Sequence, residues 1–215
     1  MRLALAPLAL LLAPLALACE EVPRKYSTIG DAAVPIFADD FEAGALSAAW
    51  RTTGEGATIQ GGALVVEGLK NHPVWLTTPL PDDVRIEFDA TAATEEGDIK
   101  VEIAGDGRSA ARSMNYVATG YVLIFGGWNN ETNAIVRRNE HGRERQVNDA
   151  PHVEPGRRYH FTIVRQQGTI RWELDGQELL SYEDPTPLVG EGHQYFAFSG
   201  WESRVTFDNL VISTL

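Results

Sequence analysis

Val84-Arg85-Ile86-Glu87-Phe88-Asp89-Ala90-Thr91 alternates apolar and polar residues without a break. A period of two places Val84, Ile86, Phe88 and Ala90 on one side of an extended chain and the charges on the other. That is the pattern of a strand with one face in a core and one in water. Asp98-Ile99-Lys100-Val101-Glu102-Ile103 repeats it, as do Tyr159-His160-Phe161-Thr162-Ile163 and Thr169-Ile170-Arg171-Trp172-Glu173-Leu174. Asp175-Gly176 follows the last of these and precedes Glu178-Leu179-Leu180, a tight hairpin signal. Gly61-Gly62, between Ile59 and Leu64-Val65-Val66, is a second. No stretch carries a helical stripe. Roughly a dozen short strands punctuated by Gly and Pro point to an antiparallel sandwich or barrel.

Two segments depart from simple alternation. Gly120-Tyr121-Val122-Leu123-Ile124-Phe125-Gly126-Gly127-Trp128 is apolar on both faces, which predicts a central strand covered on each side. Val205-Thr206-Phe207-Asp208-Asn209-Leu210-Val211-Ile212 shifts its alternation at Asn209, which predicts a β-bulge.

The opening, Phe37-Ala38-Asp39-Asp40-Phe41-Glu42 with Leu46 and Trp50, resembles the first strand of concanavalin A-like jelly rolls. The ending, Phe207 to Ile212, resembles their last strand. The resemblance covers Pro35 to Leu215 and implies an all-β, two-sheet antiparallel jelly-roll sandwich whose first and last strands lie side by side. Bacterial members include laminin G-like modules, 3-keto-disaccharide hydrolase domains and laminarinase-type glycoside hydrolases, so the fold does not name the activity.

Ahead of this domain, Arg2 is followed by an unbroken apolar run, Leu3 to Ala18, and then by Cys19, the single cysteine. A positive start, a short apolar run and small residues at its end read as a cleaved secretory signal. The run is shorter than the ~20 residues that span a bilayer, and Pro7 and Pro14 interrupt it. Leu15-Ala16-Leu17-Ala18-Cys19 resembles the lipobox of bacterial lipoproteins, which implies cleavage before Cys19 and acylation of its thiol. Residues 1–18 are then the signal and residues 19–34 a lipid-anchored tether. By the same resemblance, Glu20, standing where an inner-membrane retention signal would place Asp, implies the outer membrane of the cell envelope. Losing Arg2 with the signal moves the formal charge from −12 to −13. So acidic a chain repels nucleic acid, and lipid rather than protein surface must hold it to a membrane.

Chemistry concentrates in Gly126-Gly127-Trp128-Asn129-Asn130-Glu131-Thr132-Asn133 and in Arg137-Arg138-Asn139-Glu140-His141-Gly142. Amides, a guanidinium, a carboxylate and an imidazole offer the donors and acceptors that vicinal hydroxyls need, and Trp128 offers a flat apolar surface for a sugar ring. The bland alternative is a polar hairpin loop, in which Asn and Gly are ordinary turn residues. The expected carbohydrate contacts are Trp128, Asn129, Asn130, Arg138, Glu140, His141 and Trp201, with Asn71-His72 as a possible rim.

A second cluster is acidic. If Ala92 to Gly97 joins two alternating strands as a hairpin, Glu87 faces Glu102 and Asp89 faces Lys100; a shorter loop would oppose Asp89 and Glu102. Paired carboxyl groups suit a retaining glycosidase, so Glu87, Asp89, Asp98 and Glu102 are the candidates of the hydrolase or lyase reading. Laminarinase-type enzymes carry Glu-x-Asp-x-Glu on one strand, whereas this chain has Lys100 at the centre of Asp98-x-Lys100-x-Glu102. A solvated sheet face is the competing expectation. No cofactor is implied. Calcium enters because some members of the fold hold one beside the first and last strands, where Asp39, Asp40, Glu42 and Asp208 could contribute oxygens; the alternative is an aspartate that stabilises the bulge at Asn209. The leading expectation is a lipid-anchored lectin-like domain. A glycoside hydrolase and a structural envelope lipoprotein are the alternatives.

Overall fold

A computed structural model of the chain describes residues 33–113 and 116–215. Cys19, the apolar run before it and residues 19–32 of the expected tether lie outside the described residues. Fifteen strands are present among the described ones: β1 (Val34–Asp39), β2 (Trp50–Thr52), β3 (Ala57–Gln60), β4 (Ala63–Val66), β5 (Val74–Leu76), β6 (Val84–Ala92), β7 (Ile99–Gly105), β8 (Tyr121–Gly126), β9 (Thr132–Arg137), β10 (Arg145–Asn148), β11 (Arg158–Gln166), β12 (Thr169–Leu174), β13 (Gln177–Glu183), β14 (Tyr195–Ser199) and β15 (Val205–Thr214). They form two antiparallel sheets. The larger runs β13-β12-β11-β6-β15-β4-β3 with β1 also on β15, and the smaller runs β10-β9-β8-β7-β14-β5-β2. This is the antiparallel sandwich that the alternating pattern predicts and the jelly roll that the resemblance implies.

The local signals fold as expected. Asp175-Gly176 (φ 50 and 75) turns β12 into β13, and Gly61-Gly62 (φ 59 and 76) turns β3 into β4, both with the paired positive φ of a type I′ hairpin. The final strand bulges at Asp208–Asn209, where Asn209 takes φ 51. The bulge divides two partnerships: Val205–Phe207 pairs with β4 and Leu210–Thr214 with β1, while β6 follows the whole opposite edge.

Between the sheets lies an aromatic core. Phe88 stacks on Phe161 (5.2 Å between centroids), Phe161 on Trp172 (5.8 Å), and Phe198 sits 4.3 Å from Phe207. Strand β8 is buried on both faces, as its continuous apolar run predicts. Tyr121, Leu123 and Phe125 enter the main core, whereas Val122 and Ile124 join Tyr116, Ala118, Ala134 and Val136 in a separate cluster on the other side of the smaller sheet.

One expectation fails here. Strands β6 and β7 do not pair; β6 lies between β11 and β15, and β7 between β8 and β14. The turn between them crosses from one sheet to the other. Glu87 and Asp89 therefore project from the larger sheet, and Asp98 and Glu102 belong to the smaller one, so the four acids share no face. Nor is the β7 face solvated, because every residue of β7 is buried.

Candidate functional site

Alternation along β7 sends Val101 and Ile103 into the main core and Lys100 and Glu102 to the outer side of the smaller sheet, opposite Ile124 and Val122 of β8. Lys100 is only 3% exposed. An ammonium that deep must be paired, since desolvation without compensation costs several kcal/mol. Its partners are Asn71 Oδ1 (3.1 Å), Glu140 Oε2 (3.4 Å) and Oε1 (3.3 Å), and Asp98 Oδ1 (3.5 Å). Burial alone would lower the lysine pKa; the fields of Asp98 and Glu140 outweigh it and hold the value above normal.

Asp98 is placed by an unusual backbone. It takes φ 63, directly after Gly97 at φ 68, and its N–H donates to Gly126 O (2.9 Å). A Cβ on Gly97 would stand 2.5 Å from that same carbonyl, so only glycine allows this approach. The Asp98 side chain then accepts the Trp201 N–H at 2.6 Å.

Opposite stands a turn of left-handed backbone. Trp128, Asn129 and Asn130 have φ of 51, 60 and 64, closed by Glu131 N–H on Gly127 O (3.0 Å). Asparagine tolerates this region; a bulky residue such as Trp128 does not, so the turn stores strain that its surroundings must hold. Two asparagines hold it. Asn130 donates to Val153 O (2.8 Å) and accepts from Val153 N (2.7 Å). Asn133 donates to Asn148 Oδ1 and Pro151 O and accepts from Gly126 N. Trp128 packs against the apolar cluster that includes Ile124, with the His141 ring at its edge (6.1 Å) and the Arg145 guanidinium 5.7 Å over it.

These elements enclose a cavity of about 670 Å³ on the outer side of the smaller sheet, floored by Lys100, Asp98 and Ile124 and walled by Trp128, Asn129, Glu140, His141, Asn71, Trp201, Glu202, Ser203 and Glu96. That volume is in the range of small-molecule sites. Of the seven expected carbohydrate contacts, Trp128, Asn129, Glu140, His141 and Trp201 meet there, joined by Asp98 from the acidic set. Two do not. Arg138 is exposed and off the wall; its backbone N–H bonds Gly120 O and its carbonyl takes the Ala118 N–H. Asn130 has committed its side-chain amide to Val153, so its role is to hold the turn. His72 turns its Nδ1 to Leu69 O, while Asn71 reaches the floor.

Glu102 lies beside this cavity and outside it. It is fully buried, takes the Tyr116 hydroxyl at 2.9 Å and lies 3.5 Å from Ser199 Oγ. Burial, opposed by the Tyr116 hydrogen bond, pushes its carboxyl up to about 8. The covering chain is fastened at several points: Asp106 N–H to Thr119 Oγ1, Trp75 Nε1–H to Ser109 O, and Ala111 N–H to Asn71 O.

Glu87 and Asp89 are elsewhere, in an open charge lattice on the larger sheet. Asp89 accepts from Arg158, His160 Nδ1 (2.8 Å) and Asn209 Nδ2 (2.9 Å), which together outweigh its burial and keep its carboxyl below the usual range. The calcium candidates are engaged within the protein. Asp208 Oδ1 accepts the Asn209 N–H (2.7 Å) at the bulge, Asp39 is spent on Phe41 N–H and the Trp50 indole, and among the described residues no three His, Cys, Asp or Glu side chains converge as a metal site.

A family model described as a domain of unknown function, DUF6250, matches residues 105–210, which hold Trp128, Glu140 and Trp201 but not Asp98 or Lys100. No curated protein matches the chain by sequence. Solved structures match the fold. The carbohydrate binding module CBM66 from Bacillus subtilis aligns at TM-score 0.59 and 12% identity, over 77% of this chain and 96% of that one. The carbohydrate recognition domain of Emp47p aligns at 0.60 and 12%, over 85% and 96%. A laminarinase from Flavobacterium sp. UMI-01 aligns at 0.58 and 10%, over 84% and 100%. At these identities the likeness is one of fold, and the fold hosts both binders and enzymes.

Proposed function

We propose that this chain is a lipid-anchored protein of the bacterial cell envelope, held to the outer membrane through acylated Cys19, whose jelly roll binds carbohydrate in the cavity above Lys100. The observation that carries the binding reading is the composition of that cavity: two indoles, an imidazole, amides and buried carboxylates around one concave space. A pyranose has apolar faces and polar edges, and this lining answers both. The strained Trp128 turn supports it, since backbone strain held in place by dedicated side chains gathers at ligand sites. The anchoring reading rests on the sequence from Arg2 to Cys19. A glycan array probed with the full chain in detergent, run beside a reducing-sugar release assay, tests the function. Binding without release is the expected result, and failure to bind any glycan overturns it. Cys19→Ser should release the protein from membranes; a variant that stays membrane-bound after washing contradicts the anchor.

Hydrolysis is the second reading, favoured by Glu102, whose carboxyl keeps its proton at neutral pH as a general acid must. Against it, Glu102 has no exposed surface and does not line the cavity. If sugar is released and Glu102→Gln abolishes the release, turnover replaces binding as the function.

A further inference from the structure

Charge in the cavity is unbalanced. Glu96, Asp98, Glu140 and Glu202 line it against one ammonium, Lys100. The two outer acids are exposed: Glu202 pairs with Lys70 (3.3 Å), and Glu96 takes the Thr94 hydroxyl (2.6 Å). The inner two have no such outlet. Asp98 and Glu140 share Lys100 between them, so the buried cluster holds two negative charges and one positive. Asp98 is further relieved by the Trp201 N–H. Glu140 is not. It is 8% exposed, and its Oε1, though 3.3 Å from the ammonium, is buried and receives no hydrogen bond. Arg145 reaches only the Glu140 backbone carbonyl (3.0 Å). A buried carboxylate with half a counter-charge and an idle oxygen is costly unless something else supplies a cationic donor.

We propose that the ligand supplies this charge: the cavity selects a glycan carrying a free amino group, a glucosamine-type sugar, whose ammonium is held by Glu140 and Asp98 while its ring lies against the indole-lined wall. The selection rests on the carbohydrate reading above and narrows it. An anionic sugar would meet the same acids and be repelled, and a neutral one would leave Glu140 as it is.

Three hexamers of one β-1,4-linked backbone test the proposal by calorimetry on the full chain in detergent: glucosamine, N-acetylglucosamine and glucose. The amine form is expected to bind at least tenfold more tightly than either of the others, and Glu140→Gln should bring the three within about threefold. Should that variant fold poorly, Asp98→Asn and the wild-type ratio still decide. If the acetylated or hydroxyl hexamer binds as well as the amine, the proposal is overturned while the carbohydrate reading stands. Tighter binding of hexalysine than of the glucosamine hexamer also overturns it, by assigning the cavity to a peptide. If no hexamer binds, the proposal falls, and the glycan array separately decides whether the cavity takes sugar at all.

Discussion

The outward faces of the two sheets are built from the same alternating pattern and meet opposite fates. On the larger sheet, Arg85, Glu87, Asp89, Arg158 and His160 form a lattice with access to water; the Arg158 side chain is 57% exposed even while touching Asp89 and Asp208. On the smaller sheet, Lys100, Asp98, Glu140 and Glu102 are all buried, the first three lining the cavity and Glu102 beneath the Tyr116 hydroxyl. Water screens the first set, so each pair contributes little. The second set has no screening, and each member depends on the others. One face tolerates substitution, and the other has committed its charges to one arrangement.

Removing the central charge should separate the faces most clearly. Lys100→Met leaves Asp98 and Glu140 buried together without a cation, and a loss of about 3–5 kcal/mol is expected in urea unfolding. A loss below ~1 kcal/mol would mean that the smaller sheet's face is as wet as the other.

The next effect depends on pH. Glu102 keeps its proton up to about 8, against an ordinary 4.5. Between those values the folded chain binds more protons than the unfolded one, so Glu102 makes stability fall as pH rises. Lys100 is also raised, but its contribution is fully present below its ordinary 10.5 and does not vary in this window. Glu102→Gln should remove the slope, worth about 1.4 kcal/mol per pH unit at most. Its melting temperature should then exceed wild type by several degrees at pH 8.5 and match it at pH 5. Parallel pH profiles would show that Glu102 is ionised in the fold.

Trp128→Ala should cost glycan affinity on the order of 1–3 kcal/mol, by analogy with aromatic stacking on bases. Stability should change little, because the residue is half-buried and leaves its strained turn to be held by Asn130 and Asn133. Unchanged affinity would remove the indole from the site. The smallest effect is expected across the molecule. Arg158→Met should stay within ~1 kcal/mol in urea and leave glycan affinity at wild type. A larger loss would mean that the exposed lattice holds the sheet together.

The same contrast explains what was legible in the sequence. Alternation, the Asp175-Gly176 and Gly61-Gly62 turns, the doubly apolar β8 and the shift at Asn209 are local signals, and each gave the element it predicts, although the polar face of β7 is buried instead of wet. The pairing of β6 with β7 was not local. Two alternating strands separated by a few residues look like a hairpin, and the connection instead changes sheets. A physical hint was present, since that hairpin would have set Glu87 against Glu102 across a ladder. The burial of Lys100 and Glu102 was hidden for a different reason. Glu102 lies beneath the chain around Tyr116, which has no period, and Lys100 is enclosed by Asn71 and Glu140, contacts that are all long-range. Trp128, Glu140, His141 and Trp201 were legible by chemistry alone. Lys100, which organises them, passed for a surface counter-charge because its strand looked half exposed.

The divided partnership of β15 also governs when the domain can form. Val205–Thr214 sits inside the larger sheet, against β6 on one edge and against β4 and then β1 on the other. Until those residues have left the ribosome, β1, β4 and β6 have no common neighbour, and the halves of the aromatic core cannot close. Local hairpins such as β12–β13 can form early, but the sandwich must wait for long-range pairing, the slow step in folds of this kind. A chain built this way keeps its aromatic halves apart, and open to other binding partners, until β15 is made.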